Sequence, residues 1–385
     1  MSSMIVPVAK PTSRLARYRA LSPSASIHVS PFQLGAMSIG DKWGKHSSFG
    51  QMDKESSFKL LDAYYDAGGN FIDTSNNYQD QSSEEFIGEW AEERGIRDQL
   101  IIATKYSTNY LRAETGIKQK VLYSGNNIKS MHISAEASLK KLRTTYIDIL
   151  YVHWWDWETS IEEMMNGLHM LVQQGKVLYL GISDTPAWVV SQANQYARDH
   201  GKTPFVIYQG QWNVMDRSFE RDIIPMCKAH GMAIAPWGVL AGGKLRSDEE
   251  EERRAKSGEN GRVFFNPDWK RNDAERAMST ALEKVAKEVG AKHLTAVAIA
   301  YVMQKAPYVF PIIGGRKVEQ LEANLEALEI VLTPEQIKHL DSIVPFDPGF
   351  PYTMIGDGSN YAILSQSAAY MEKQPPLRAI VPDLS

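Results

Sequence analysis

One cysteine, Cys227, is all that the 385 residues contain. No internal disulfide can form, so the chain suits a reducing compartment, and the cytoplasm is the expectation. Its surroundings, "IIPMCKAHG", read as a helix in which a lone Cys is a small core residue. No apolar run approaches the roughly 18 residues that a membrane span needs. Neither sign of charge dominates: 42 Lys and Arg against 46 Asp and Glu give no electrostatic case for nucleic-acid binding. The nine histidines are scattered, without H-E-x-x-H or a cysteine cluster, which argues against a catalytic metal. No G-x-G-x-x-G follows an early strand run, which weakens a doubly wound open sheet. "GVLAGGKL", 238–245, satisfies G-x-x-x-x-G-K, but Leu245 stands where nucleoside-triphosphate binding needs Ser or Thr for magnesium.

Acidic residues are missing from the first 40 positions, which hold Lys10, Arg14, Arg17 and Arg19. That resembles an organelle-targeting peptide, but Pro7, Pro11, Pro23 and Pro31 would break its amphipathic helix. We expect a loose tail over residues 1–15 and a folded domain over 16–345 that begins with a hairpin. A Pro-, Gly- and Tyr-rich tail over 346–385 follows, placed to close over the active site.

What is present is a core: 43% of residues are hydrophobic, enough for a substantial interior. Strand-like runs fall at 32–39, 70–74, 100–105, 147–153, 179–183, 206–212, 233–237 and 309–315. They are continuous apolar runs rather than alternations, as for strands buried on both faces. Helical patterns separate them, several ending in Gly. Eight strand–helix units predict an α/β fold, a (β/α)8 barrel of the TIM type. Long segments at 106–130 and 246–273 suit loops at the C-terminal face, where such barrels carry their sites. The charged run 248–254 reads as a solvated helix or loop.

Polar groups stand where the runs stop: Asp73 and Tyr78 after the second, Lys105 ending the third, His153 ending the fourth. Singly, each has an ordinary explanation as a cap, rim aromatic, surface charge or core imidazole. Together, at adjacent strand ends, they converge on one mouth. An ammonium beside a phenol favours the phenolate and lowers its pKa. A carboxylate keeps the ammonium charged, and an imidazole can donate to a bound carbonyl. The set suits proton delivery in a reaction whose other half is hydride transfer.

"FIDTSNNY", "ATK", "YVHWW", "YLGISD", "YQGQWN" and "PIIGGRKVEQLEANL" resemble, in order, the motifs of the aldo-keto reductase superfamily. Within it, "APWGVLAGGKL" and "YVHWWDW" are most similar to fungal aryl-alcohol dehydrogenases, with norsolorinic-acid-reductase-like proteins close by. The resemblance implies a catalytic tetrad of Asp73, Tyr78, Lys105 and His153, with Tyr78 as proton donor. It implies NADP(H) as cofactor, with Ser183, Asp184 and Gln209 at the nicotinamide carboxamide and Trp212 stacked on the ring. Met37 and the loop residues Gly238, Val239, Leu240, Gly242 and Lys244 would complete the cofactor site. Gly314 and Gly315 open a helix toward phosphate, Arg316 faces the 2′-phosphate, and Gln320 and Asn324 lie near adenine.

The sequence also departs from the pattern. Asp184 replaces a frequent Asn or Arg and could cap a helix beginning at Pro186. Gln79 replaces a common Gly, Ala323 a frequent Glu, and the loop at 236–244 is about two residues short. Trp43, Trp154, Trp155 and Trp157 crowd the expected carbonyl site, and Trp43 and Trp154 join Tyr78 and His153 as substrate contacts. We therefore expect reversible reduction of small aromatic aldehydes to benzylic alcohols, with a polyketide carbonyl as the alternative. A Schiff base on Lys105 is a rival, opposed by Asp73, which would keep the amine charged. A regulatory binding role, as in the similar potassium-channel β subunits, is the other.

Overall fold

The apolar runs pair side by side because each is followed by a helix whose apolar stripe covers its outer face. The computed structural model describes residues 7–44, 50–257 and 269–383. An antiparallel hairpin, β1 Arg19–Ser22 and β2 Ala25–Val29, precedes eight parallel strands. These are β3 Gln33–Gly35, β4 Phe71–Asp73, β5 Ile101–Tyr106, β6 Ile147–Val152, β7 Val177–Ser183, β8 Phe205–Gln211, β9 Ala233–Trp237 and β10 Ile312–Gly314. Neighbours pair in chain order from β3 to β9, and β10 pairs with β3. Ile234 closes the ring: its N–H donates to the Tyr308 carbonyl and its carbonyl accepts from Phe310, at 2.9 and 2.8 Å. The expected (β/α)8 barrel is what the chain forms.

The first helices are α1 Lys54–Asp66, α2 Ser82–Arg94, α3 Ile128–Lys141, α4 Ile161–Gln173, α5 Ala187–Asp199 and α6 Ile223–His230. Then come α7 Asp248–Ser257, α8 Asp273–Val289, α9 Leu294–Lys305, α10 Val318–Leu325 and α11 Pro334–Ile343. Among the described residues, none is long and apolar enough to cross a membrane. Their starts carry the local signals: Asn272 with Glu275, and Thr333 with Gln336, form reciprocal caps. Each such cap is worth about 1 kcal/mol. Cys227 is fully buried in α6, and that burial pushes its thiol pKa far up.

Side chains alternate across each strand. Phe71, Ile101, Ala103, Ile149, Tyr151, Ile207, Ala233, Ala235 and Phe310 form one buried cluster with Leu21, Ala25 and Val29 of the hairpin, which plugs the floor. The intervening residues, such as Ile72, Ile102, Leu150, Leu180 and Ile234, face the helices. Following the inward series upward gives Asp73, Lys105, His153, Gln209 and Trp237 at the opposite end.

Both tails differ from expectation. Leu15 is fully buried in a 3-10 turn at Arg14–Ala16, and Ser13 Oγ donates to the Ala67 carbonyl, so packing begins before residue 16. Among the described residues, the C-terminal tail runs down the side of the barrel to its floor and not over the mouth. Arg221 donates to the Asp347 and Pro348 carbonyls, with Phe346 against Arg217 and Arg221, which starts the tail beside α6. Leu377–Ile380 then lines one cavity with Arg19, Ala20 and Tyr308–Phe310 at the floor, and Asp383 pairs with Lys10. The run at 248–254 is helical, as α7, and Glu251 bonds Arg246 and Arg271. Residues 258–268 of that segment lie outside the described residues.

Candidate active site

The turn after β4 hugs the next strand before leaving it. Thr74 N–H donates to the Ala103 carbonyl and Asn76 N–H to that of Lys105, at 2.8 and 3.2 Å. That path delivers Tyr78 to the inward-facing lysine. Lys105 Nζ lies 2.8 Å from Asp73 Oδ2, 2.7 Å from the Thr74 carbonyl and 3.4 Å from Tyr78 Oη. Its side chain is fully buried. Burial works against the ammonium, but Asp73 and Tyr78 more than offset it, so the lysine pKa ends above its usual value. For Tyr78, burial pushes the phenol up and Lys105 pulls it back. The net direction is upward, opposite to the lowering expected from the ammonium alone.

His153 completes the group. Its ring is 6.0 Å from that of Tyr78, edge-on, and Nδ1 is 3.2 Å from Ser75 Oγ and 3.4 Å from Thr108 Oγ1. Burial, with Lys105 nearby, holds its pKa well below the usual imidazole range, so the ring is neutral at physiological pH. Trp154 Nε1 donates to Thr108 Oγ1 at 2.9 Å, while Trp43 stands edge-on to Tyr78 at 6.3 Å. Arg112 lies over the Trp43 ring, 5.1 Å from its centroid, and pairs with Asp80. Trp155 packs on the core, and Trp157 is 67% exposed.

The residues expected at the cofactor separate into two groups. Ser183 Oγ donates to Asp184 Oδ2, and Gln209 Nε2 donates to Asp73 Oδ1 at 2.8 Å. Asp184 keeps open surface at the mouth and does not cap α5, whose first residue is preceded by Pro186 with no side-chain cap. It accepts instead from Trp237 Nε1 at 3.1 Å. Trp212 is a correction: it is fully buried, stacked on Phe219 at 5.9 Å, and its Nε1 donates to Glu220. Alternation explains it, since Gln209 and Gln211 face inward and Trp212 therefore faces the helices. The same count along β9 puts Trp237 inward, an aromatic ring at the mouth that reading from the motif missed. Lys244 differs too, donating to the Lys270 carbonyl and pairing with Glu275.

Gly238 and Gly242 lie at φ of 66° and 65°, in the left-handed turn between Trp237 and Lys244, with Val239 buried and Leu240 half-buried. Met37 follows β3, half-buried. At the other end of the mouth, Gly314 closes β10, and Arg316 N–H donates to Gln320 Oε1 at 2.9 Å. Ser38 Oγ donates to the Gly315 carbonyl. Arg316 is exposed, and among the described residues no carboxylate pairs with it. Asn324 is buried on α10. Together these residues give an aromatic platform, adjacent polar groups, left-handed glycines and an exposed guanidinium at a helix start. That donor set fits a dinucleotide phosphate.

Comparison with known proteins agrees with this geometry. The model of the aldo/keto reductase family matches residues 31–345. An NADP(+) aryl-alcohol dehydrogenase of Phanerodontia chrysosporium is 64% identical over 379 residues, covering 98% of each chain. A putative aryl-alcohol dehydrogenase of Saccharomyces cerevisiae is 55% identical, covering 93% of this chain and 94% of its own. Norsolorinic acid reductase B of Dothistroma septosporum is 51% identical, covering 88% of this chain and 84% of its own. With the match spanning the whole barrel and its mouth, the chain belongs to the aldo/keto reductase family.

Proposed function

We propose that this enzyme is an NADP(H)-dependent oxidoreductase that reversibly reduces aromatic aldehydes to benzylic alcohols. The observation that carries the reading is the buried Lys105, placed between Asp73 and Tyr78 where the inward-facing series converge. The NADP(+) aryl-alcohol dehydrogenase 64% identical over the whole chain supports the cofactor and the substrate class.

In this reading the bound cofactor supplies hydride to the carbonyl carbon, and the protein's own groups handle the proton and the charge. A phenol pKa pushed up by burial keeps Tyr78 protonated until an alkoxide develops beside it. Lys105 then stabilises the phenolate that remains, and Asp73 holds the ammonium charged and oriented. His153 Nδ1 faces two hydroxyls, that of Ser75, whose proton goes to Asn77 Oδ1, and that of Thr108, which receives the Trp154 N–H. In the tautomer with its proton on Nε2, the neutral ring donates a hydrogen bond to the substrate oxygen. Trp237, Asp184, Ser183 and Gln209 would hold the nicotinamide, Met37 and the 238–242 turn the middle of the cofactor, and Gly314, Gly315, Arg316, Gln320 and Asn324 its adenosine phosphate. Trp43 and Trp154 flank the space where a flat substrate ring would lie.

Steady-state rates with NADPH and NADH, across veratraldehyde, anisaldehyde and aliphatic aldehydes, test this. We expect preference for NADPH and for the aryl compounds. Tyr78→Phe should lower kcat by about 10²- to 10⁴-fold with a smaller change in KM. Wild-type reduction by the phenylalanine variant would remove Tyr78 as donor, and turnover of aliphatic aldehydes alone would remove the aromatic assignment.

A further inference from the structure

Gln79 follows Tyr78 with φ 52° and ψ 38°, backbone space that favours glycine. Its side chain is nevertheless long, polar and fully buried. The amide is occupied by a single connection, the one between β3 and α1. Nε2 donates to the Met37 carbonyl at 2.9 Å and to the Gly50 carbonyl at 2.8 Å, and Oε1 accepts the Trp43 N–H at 3.1 Å. Gly40 approaches so closely that a Cβ there would lie 2.6 Å from the Gln79 Cβ. Asparagine, one methylene shorter, would not span both carbonyls, and glutamate would face them with no donor.

The clasped connection touches both ends of the site. Trp43 stands edge-on to Tyr78, and Gly50 lies under Arg316, where a Cβ would come 3.0 Å from Nη1. One buried amide thus ties the aromatic wall beside the proton donor to the guanidinium at the far end of the mouth.

We propose that Gln79 is a positioning residue that clasps the β3–α1 connection across the mouth, holding Trp43 in place for an aromatic substrate and Gly50 in place against Arg316 for the cofactor phosphate. The proposal rests on the roles given above to Trp43 and Arg316. It accounts for a strained backbone at 79: the side chain has a task that glycine cannot perform.

Gln79→Gly removes the clasp and relaxes the backbone, so it should fold, and Gln79→Glu keeps the shape and removes the two donors. Hydrogen exchange of peptides over 37–44 and 50–53 should quicken about tenfold in both variants, with α4 and α5 unchanged. KM for an aryl aldehyde and the NADPH dissociation constant, read by protein fluorescence, should each rise about tenfold. Meanwhile kcat with a small aliphatic aldehyde should stay within about twofold. Unchanged exchange overturns the clasp. Faster exchange without a KM split, or a parallel fall of both activities with the unfolding temperature, overturns the positioning role. A wild-type enzyme inactive on aryl aldehydes defeats the proposed function instead, and exchange with NADPH binding then decides the clasp.

Discussion

Asp184 does what an amide at the same place would not. It accepts from the Ser183 hydroxyl and the Trp237 indole, with its own backbone at φ 43°. Dense surrounding protein raises its pKa to about 6, against the opposing pull of Ser183, Trp237 and Lys105. The carboxyl is therefore neutral below about pH 6 and charged above it. A carboxylate beside the proposed nicotinamide site favours the cationic ring of NADP(+) over the neutral ring of NADPH. The ratio of their dissociation constants isolates this effect, because both forms carry the same phosphates. We expect the NADP(+)/NADPH ratio to fall about fivefold, on the order of 1 kcal/mol, as pH rises through 6. In Asp184→Asn the ratio should be flat over the same range. His153 should not contribute a second step, since its pKa is held well below the usual range by burial and Lys105. The catalytic candidates were legible from the sequence because a polar residue ending an apolar run is a local signal. Gln79 was not, because its three partners come from residues up to 42 positions away.

At the scale of elements, the loop that carries Tyr78 is braced from behind. Glu84 of α2 is fully buried, pairs with Lys141 of α3 at 2.6 Å, and accepts from Thr104 of β5. Lys141 Nζ also donates to the Asn76 carbonyl at 3.0 Å. Removing one member of such a pair leaves an uncompensated buried charge, which costs about 3–5 kcal/mol. Lys141→Met should therefore lower stability by that amount in denaturant titration. The double change with Glu84→Gln should recover a good part of it, a coupling that independent surface charges would not show. The strands themselves were readable as apolar runs, and so was their order. Which aromatic residue enters the mouth depended on counting inward positions along β8 and β9, where Trp212 and Trp237 fall on opposite faces.

For the molecule as a whole, the C-terminal tail sets apart two ends of the barrel. Its last described segment lies at the floor with the hairpin, across the barrel from Lys105 and Tyr78. Truncation after Pro376 should leave kcat/KM for aldehyde and NADPH within about twofold and lower Tm by about 1–4 °C. A fall in kcat/KM of more than about tenfold would show that the tail reaches the mouth in solution. Sequence by itself determined the barrel, because strand length, helix periodicity and capping are written in neighbouring residues. It also pointed to Asp73, Lys105 and His153 as polar groups at strand ends, whereas the bonds of the 74–76 turn to β5 bring Tyr78 to them. Only the tertiary structure decided the course of the tail, the turn of Lys244 toward Glu275, and the clasp at Gln79. Those rest on contacts between residues distant in the chain, where many pairings satisfy local chemistry equally and the packed barrel selects one.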